Sequence, residues 1–234
     1  MTHAPKPNTW PTPDTGVDRR LGDLRFRALL GAEAWAKLPA AIRRRFGKRL
    51  GAGESVVYRG VIRITRLSRL GRILAGLLTL CGAPLPLAAS NGGEVAVATV
   101  TETSDGKGQY WSRQYNRHGN FPQIIQSKKR FSGPTGLEEL VGGGLGMTLQ
   151  LRATAKSLTF HSDRYFLTLF GLRIYLPHLL TPGALTVGHH DVGGGAFEFT
   201  LDLNHPLFGE LAHQRAQFVD MGVGLDVAVG AELT

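Results

Sequence analysis

The sequence has little cysteine, few charges and no long apolar run, and each shortage removes a class of protein. Its single cysteine, Cys81, cannot close an internal disulfide. It also lacks the CxxC or Cys/His spacing of a structural zinc site, so it reads as a small buried hydrophobe. The longest uncharged apolar run, 73–89, is interrupted by Gly82, Pro84 and Pro86. It falls short of the roughly 20 apolar residues that a membrane-spanning helix needs. The first residues, MTHAPKPNTWPTPDTG, carry 4 prolines and no apolar stretch. They read as a disordered tail over 1–18 and not as a signal peptide, and a cytoplasmic location is the expectation. There is no GxSxG, HExxH or GxxxxGK. GGGLG at 142–146 lacks dinucleotide-fingerprint spacing and reads as a bulge or tight turn.

What is present is a globular composition, with 42% hydrophobic and 19% charged residues in 234. That length suits one substantial core, expected over 19–220, with 221–234 as a C-terminal extension. The net charge of +9 is unevenly placed. Residues 1–72 hold 16 Lys/Arg against 5 Asp/Glu, a balance of +11, whereas the remaining 11 and 13 leave −2. The front third is therefore expected either to meet an anionic surface or to be simply solvated.

Periodicity divides the chain in the same place. Leu21, Leu24, Ala28 and Leu29 are spaced for a short helix over 20–30. Trp35, Leu38, Ile42 and Phe46 predict a second helix, with Pro39 in its first turn and Arg43, Arg44 and Arg45 on its exposed side. From Glu54 the period becomes 2, predicting a strand through Ile64. Residues 66–81 then return to helical spacing, with Arg66, Arg69 and Arg72 opposite a leucine-rich side. After residue 90 strands are predicted over 94–103, 109–116, 122–131, 146–153, 157–161, 165–176, 184–190, 196–203 and 210–219. In AFEFTLDL, Phe197, Phe199, Leu201 and Leu203 face a core while Glu198, Thr200 and Asp202 face water. With no long helix between strands, the expected class is α+β, mainly antiparallel β. The expected form is a curved sheet or barrel with short N-terminal helices and one amphipathic helix packed on it.

Several segments carry a resemblance: AWAKLPAAIRRRF, YRGVIRI, LGRILAGLLTLCGAPLPL, YWSRQY, EELVGGGLGMTLQL, GLRIYLPHLLTP, GAFEFTLDLNHPLFG and the strand from Ala212 to Phe218. In that order, over 35–220, they resemble the bacterial family catalogued as domain of unknown function 4166. The resemblance brings no established activity. Some members are fused behind nucleotide-dependent reductase-like domains, which implies a substrate-holding role and a reductase-type partner. The 234 residues read here contain no such module, and His189 and His190 stand where the family pattern leads one to expect an acidic residue.

Candidate site residues follow from polar groups on barrel strands. Tyr58, Arg113, Tyr115, His213 and Arg215 form the expected ligand-binding set, since an arginine fork among apolar walls suits a carboxylate or phosphate head. Outward-facing side chains paired with Glu138, Glu198 or Glu210 are the alternative for each. His189 and His190, adjacent on a strand, point to opposite faces and cannot chelate one metal together, so they read as ordinary edge histidines; no metal and no cofactor are expected. For the basic segments, Arg43, Arg44, Arg45, Arg66, Arg69 and Arg72 are candidates for contact with an anionic membrane surface. The absence of interleaved stacking aromatics argues against nucleic acid. Three functions stay open: a binder of a small apolar or amphipathic, lipid-like molecule, an enzyme or reductase accessory acting on one, and an interaction module with a solid core. Binding is favoured over catalysis.

Overall fold

The computed structural model describes residues 23–82, 84–117 and 119–220. The expected tail, the extension after 220 and the start of the first helix lie outside the described residues. Three short helices lead the described chain: α1 (Arg25–Leu30), α2 (Ala32–Lys37) and α3 (Ala40–Phe46). Then come β1 (Ser55–Leu67), α4 (Arg69–Leu77) with a 3-10 turn at Leu78–Cys81, β2 (Val95–Glu102), β3 (Gly108–Arg117), β4 (Asn120–Arg130) and β5 (Glu138–Gly142). The remainder is β6 (Leu145–Ala153), β7 (Ser157–Leu169), β8 (Leu172–Tyr175), a 3-10 turn at His178–Leu180, β9 (Ala184–Gly193), β10 (Ala196–His205) and β11 (Gly209–Asp220).

All pairings between these strands are antiparallel, in the order β6-β5-β4-β3-β2-β1-β11-β10-β9-β7-β8. The β6–β7 ladder joins the two sides, giving a closed 10-stranded barrel with β8 hung on the far half of β7. Closure follows from pattern. Period-2 strands with one apolar face bury it best by curling on themselves, and a closed sheet has no exposed edge. β10 obeys this as expected, with Phe197, Phe199, Leu201 and Leu203 buried and the residues between them half-exposed.

Because neighbouring strands run in opposite directions, the connections collect at two ends. At one end α1–α3 form a plug, in which Phe26, Leu38, Ile42 and Phe46 are buried against the barrel interior. At the other, α4, its 3-10 turn and the following loop form a lid. The expected helix from Trp35 to Phe46 is broken, because Leu38 and Pro39 are extended (ψ 145° and 147°). A residue before proline is driven from the helical region, so α3 starts afresh after Pro39. α4 is capped by Ser68, whose hydroxyl accepts from the Gly71 amide at 3.0 Å. Its contact with β11 runs through small residues. A Cβ on Gly71 would lie 1.8 Å from the Leu211 carbonyl oxygen, so only glycine permits that approach.

Two other expectations are corrected. The segment 165–176 is a hairpin, because Phe170 and Gly171 both take positive φ (49° and 80°) and turn the chain between β7 and β8. The segments 157–161 and 165–169 are one continuous strand, β7. β5 carried no apolar alternation because consecutive glutamates are both buried. Glu138 is held outside the barrel by Arg130 and Arg173, and Glu139 inside by Lys129.

The plug is fastened by charge. Arg25 reaches Glu102 at 2.8 Å and Asp23 at 2.6 Å, with both carboxylates almost fully buried. Removing one partner of a buried pair strands the others, at a cost of about 3–5 kcal/mol. Arg25→Met is therefore expected to lower the unfolding free energy by about that amount in a urea titration. A loss of under about 1 kcal/mol, the range of an exposed ion pair, would show that the helices are held by packing alone.

Candidate functional site

The interior is built from residues of one parity on each strand. On β1, β2 and β3 the register places Tyr58 beside Ala98 and Ala98 beside Arg113. The small alanine between two long side chains makes the wall recede. A cavity lies there, walled by Phe46, Val56, Tyr58, Trp111, His189 and Phe197 among others. A second lies toward the lid, between Leu78, Leu85, Val141, Met147, Pro182 and Leu203. Each leaves about 50 Å³ for the centre of a water-sized sphere, room for a short chain or a few waters. Arg113 lines both.

His189 is a buried polar group ringed by aromatic side chains. Its ring meets Phe46, Trp111, Phe160 and Phe199 edge-on at 5.1–6.0 Å and stacks on Phe197 at 5.6 Å. Neither ring nitrogen has a hydrogen-bond partner among the described residues. Burial holds its pKa well below the usual histidine value, and the positive charges of Arg45 and Lys129 push the same way. A neutral imidazole offers one donor and one acceptor, and both point into an apolar enclosure.

Three cations surround it. Arg45 leaves the surface of α3 and lays its guanidinium 3.7 Å from the Phe197 ring centre, with Nε and Nη1 buried and unpaired. Desolvation lowers its pKa, and Tyr58 opposes this. Arg113 sits 5.4 Å from the Phe199 ring centre, and its Nε is likewise buried and unpaired. Lys129 packs its ammonium 4.4 Å from the Trp111 ring and 3.0 Å from Glu139. For Glu139, burial raises the pKa but the charges of Lys129 and Arg113 pull it below the ordinary value. Lys129 is lowered by burial despite Glu139. Glu139 is thus occupied by Lys129, while Asp23 and Glu102 are occupied by Arg25. Among the described residues Arg45 and Arg113 make no ion pair and face aromatic rings, although Arg113 stands near enough to Glu139 for its charge to act on that carboxylate.

Of the ligand set expected from sequence, Tyr58 and Arg113 meet at the first cavity. Tyr115 also points inward, two positions further along β3, but lines a separate cleft with Thr65, Gln123 and Gln214. His213 and Arg215 lie outside. His213 bonds Asp202 at 2.6 Å and Arg215 pairs with Glu198 at 2.5 Å. Parity explains it: Ala212, Gln214, Ala216 and Phe218 are the buried positions of β11. The reading of His189 as an edge histidine is corrected, since it is central, whereas His190 faces Thr200 on the other side of the strand.

The basic set is divided. Arg43 and Arg44 are exposed at the plug end, Arg45 is interior, and Arg69 and Arg72 are exposed at the lid end. Arg66 is paired with Glu210 at 3.0 Å. One flat surface cannot touch all of them. No helix among the described residues is long and apolar enough to cross a membrane. Among the same residues, no group of three or more His, Cys, Asp or Glu could hold a metal ion.

These features define a class: a plugged and lidded antiparallel barrel with cations buried among aromatic rings. The family described as Domain of unknown function (DUF4166) matches residues 38–218, and the chain belongs to that family. No curated protein and no solved structure matched it.

The buried neutral imidazole sets a pH dependence. The unfolded chain binds a proton near pH 6.5 and the folded one only well below, so stability is intact above about 6.5 and is lost as pH falls below it. The slope attributable to His189 approaches about 1.4 kcal/mol per pH unit. His189→Phe is expected to flatten the stability profile between about pH 6.5 and 5 in parallel denaturant titrations. An unchanged slope would place a hidden partner on the ring.

Proposed function

We propose that the barrel binds a small amphipathic molecule with an anionic head, a short-chain carboxylate or phosphate ester, through Arg113. The observation that carries the reading is Arg113 itself, whose buried, unpaired Nε lies where two mainly apolar cavities adjoin, the first also lined by Arg45 and His189 and the second by Glu139. A buried guanidinium N–H that makes no hydrogen bond is an incomplete interaction, and an anion supplies the missing half. Arg45 reinforces the positive field, and neutral His189 can donate one hydrogen bond to the same head. The second cavity, walled by leucines and prolines, takes the tail toward the lid. Its modest size favours a short chain over a full-length lipid, which narrows the lipid-like ligand expected from sequence.

Octanoate and octanol share a chain and differ in the head, so calorimetric titration of both tests the reading. Octanoate is expected to bind more tightly by about 1.5–3 kcal/mol, the range for a hydrogen bond to a charged group, or roughly 10- to 150-fold. In Arg113→Met that preference is expected to vanish while octanol binding persists. Equal affinity of the two in the unaltered protein, a preference that survives Arg113→Met, or no binding of either would overturn it.

A further inference from the structure

Most of the large apolar side chains left exposed by this barrel, and the most exposed of them, are gathered at one end. Leu80, Phe121, Phe170, Leu179 and Leu207 are 72–103% exposed, and each belongs to a different connection. They stand on the lid's 3-10 turn, the start of β4 beside the β3–β4 turn, the β7–β8 turn, the 3-10 turn before β9 and the β10–β11 turn. Strand direction puts all but one of these at the lid end, and the turn before β9, which joins two strands of the same direction, reaches it by lying beside Asn204, His205 and Pro206. Close backbone approaches tie them together: a Cβ added at Gly143 would lie 3.2 Å from the Cys81 sulfur, one at Gly144 would collide with the Thr168 carbonyl, and one at Gly183 with the Asn204 carbonyl.

The lid helix repeats the pattern in an inverted form. α4 buries its small residues, Gly71 and Ala75, against the barrel and leaves Leu70, Ile73 and Leu77 exposed on its outer face. Removing the three large side chains from water would gain more than the two small ones do, so the helix shows its stronger apolar face to the outside.

We infer that the lid end is a docking face for an anionic lipid surface. Three observations select a bilayer over a protein partner. The apolar groups are single side chains on separate segments, an arrangement suited to dipping one by one into an acyl boundary, and the clefts beside them carry Asp163, Arg164 and His178 in place of a continuous apolar wall for a folded partner. Charge at this end leans positive: Arg66, Arg69, Arg72, Arg117, Arg164 and Arg173 stand against Glu94, Asp163, Asp202 and Glu210, with Arg66 paired to Glu210 and Arg173 to Glu138. The apolar cavity opens directly behind the rim, where Leu78, Leu85 and Pro182 separate it from the outside. The inference rests on the outer surface alone and holds whether or not the interior takes an anion.

Vesicles of equal parts phosphatidylcholine and phosphatidylglycerol test it by co-sedimentation, with pure phosphatidylcholine vesicles alongside. The protein is expected to sediment with the anionic vesicles, less with the neutral ones, and less again as salt is raised. The triple variant Ile73→Ser, Leu77→Ser, Phe170→Ser alters only exposed positions and is expected to keep its unfolding transition while losing about tenfold or more in partitioning. Arg43→Gln with Arg44→Gln, at the plug end, is expected to bind as the unaltered protein does. A tryptophan placed by Phe170→Trp should shift to the blue and be quenched by brominated lipid, whereas one placed by Val192→Trp, at the opposite end, should not. No sedimentation with anionic vesicles, undiminished binding by the triple variant, or loss of binding by the plug-end variant would each overturn the inference. So would a dimer in sedimentation equilibrium that the triple variant converts to monomer, because a second copy would then be what covers the face.

Discussion

Everything described here depends on the ladder between β6 and β7. Without it the sheet is an open ribbon with two edges and one face to cover; with it the same strands enclose a space that only the two ends can reach. Closure turns the inward parity of every strand into a single interior. With the connections already sorted to two ends by strand direction, closure also makes those ends the mouths of one enclosure, a buried plug at one and an apolar lid at the other. The geometry that brings Arg113, His189 and Lys129 together, from β3, β9 and β4, exists only once the circle is complete.

An enclosed interior makes polar groups costly, and this barrel meets the cost in two ways. Where carboxylates are available they are paired, Lys129 with Glu139 and Arg25 with Asp23 and Glu102. Where they are not, aromatic faces take their place: Phe197 beneath Arg45 and Phe199 beside Arg113. A ring face is worth about 0.5–2 kcal/mol to a cation, well under the several kcal/mol needed to strip an ion of its water. The difference is what makes the interior receptive to an anion. His189 fits the same scheme, since its neutrality adds no further positive charge among the arginines.

Much of the fold could be read from residues, because period-2 alternation in segments such as AFEFTLDL reports burial directly. Helical spacing in 66–81 found the helix but not its bounds or its buried side, since β1 takes Arg66 and Leu67 and α4 buries Gly71 and Ala75 instead of its leucines. Reading failed where charge replaced hydrophobicity. Glu138 and Glu139 hid β5, since each is buried by an ion pair whose partner comes from a different strand. Within the site, parity was the missing signal. Gln214, Ala216 and Phe218 already mark the even positions of β11 as inward, which sends His213 and Arg215 outside. Phe197 and Phe199 mark the inner face of β10, and the pairing of His189 with Phe199 would have drawn that histidine inward had the register been known. Arg45 could not be found this way. It sits in a run of arginines on a short helix, and only the docking of α3 over the barrel mouth turns one of the three into the core.

A structure of the protein crystallised with octanoate is the most direct measurement of whether the interior is a binding site. The expected density places a carboxylate within hydrogen-bonding distance of the Arg113 guanidinium, its chain running past Met147 and Leu203 toward the lid, with Arg45 still over Phe197. A structure in which Arg113 turns onto Glu139, the aromatic rings close over His189 and no ligand density enters the barrel would contradict it.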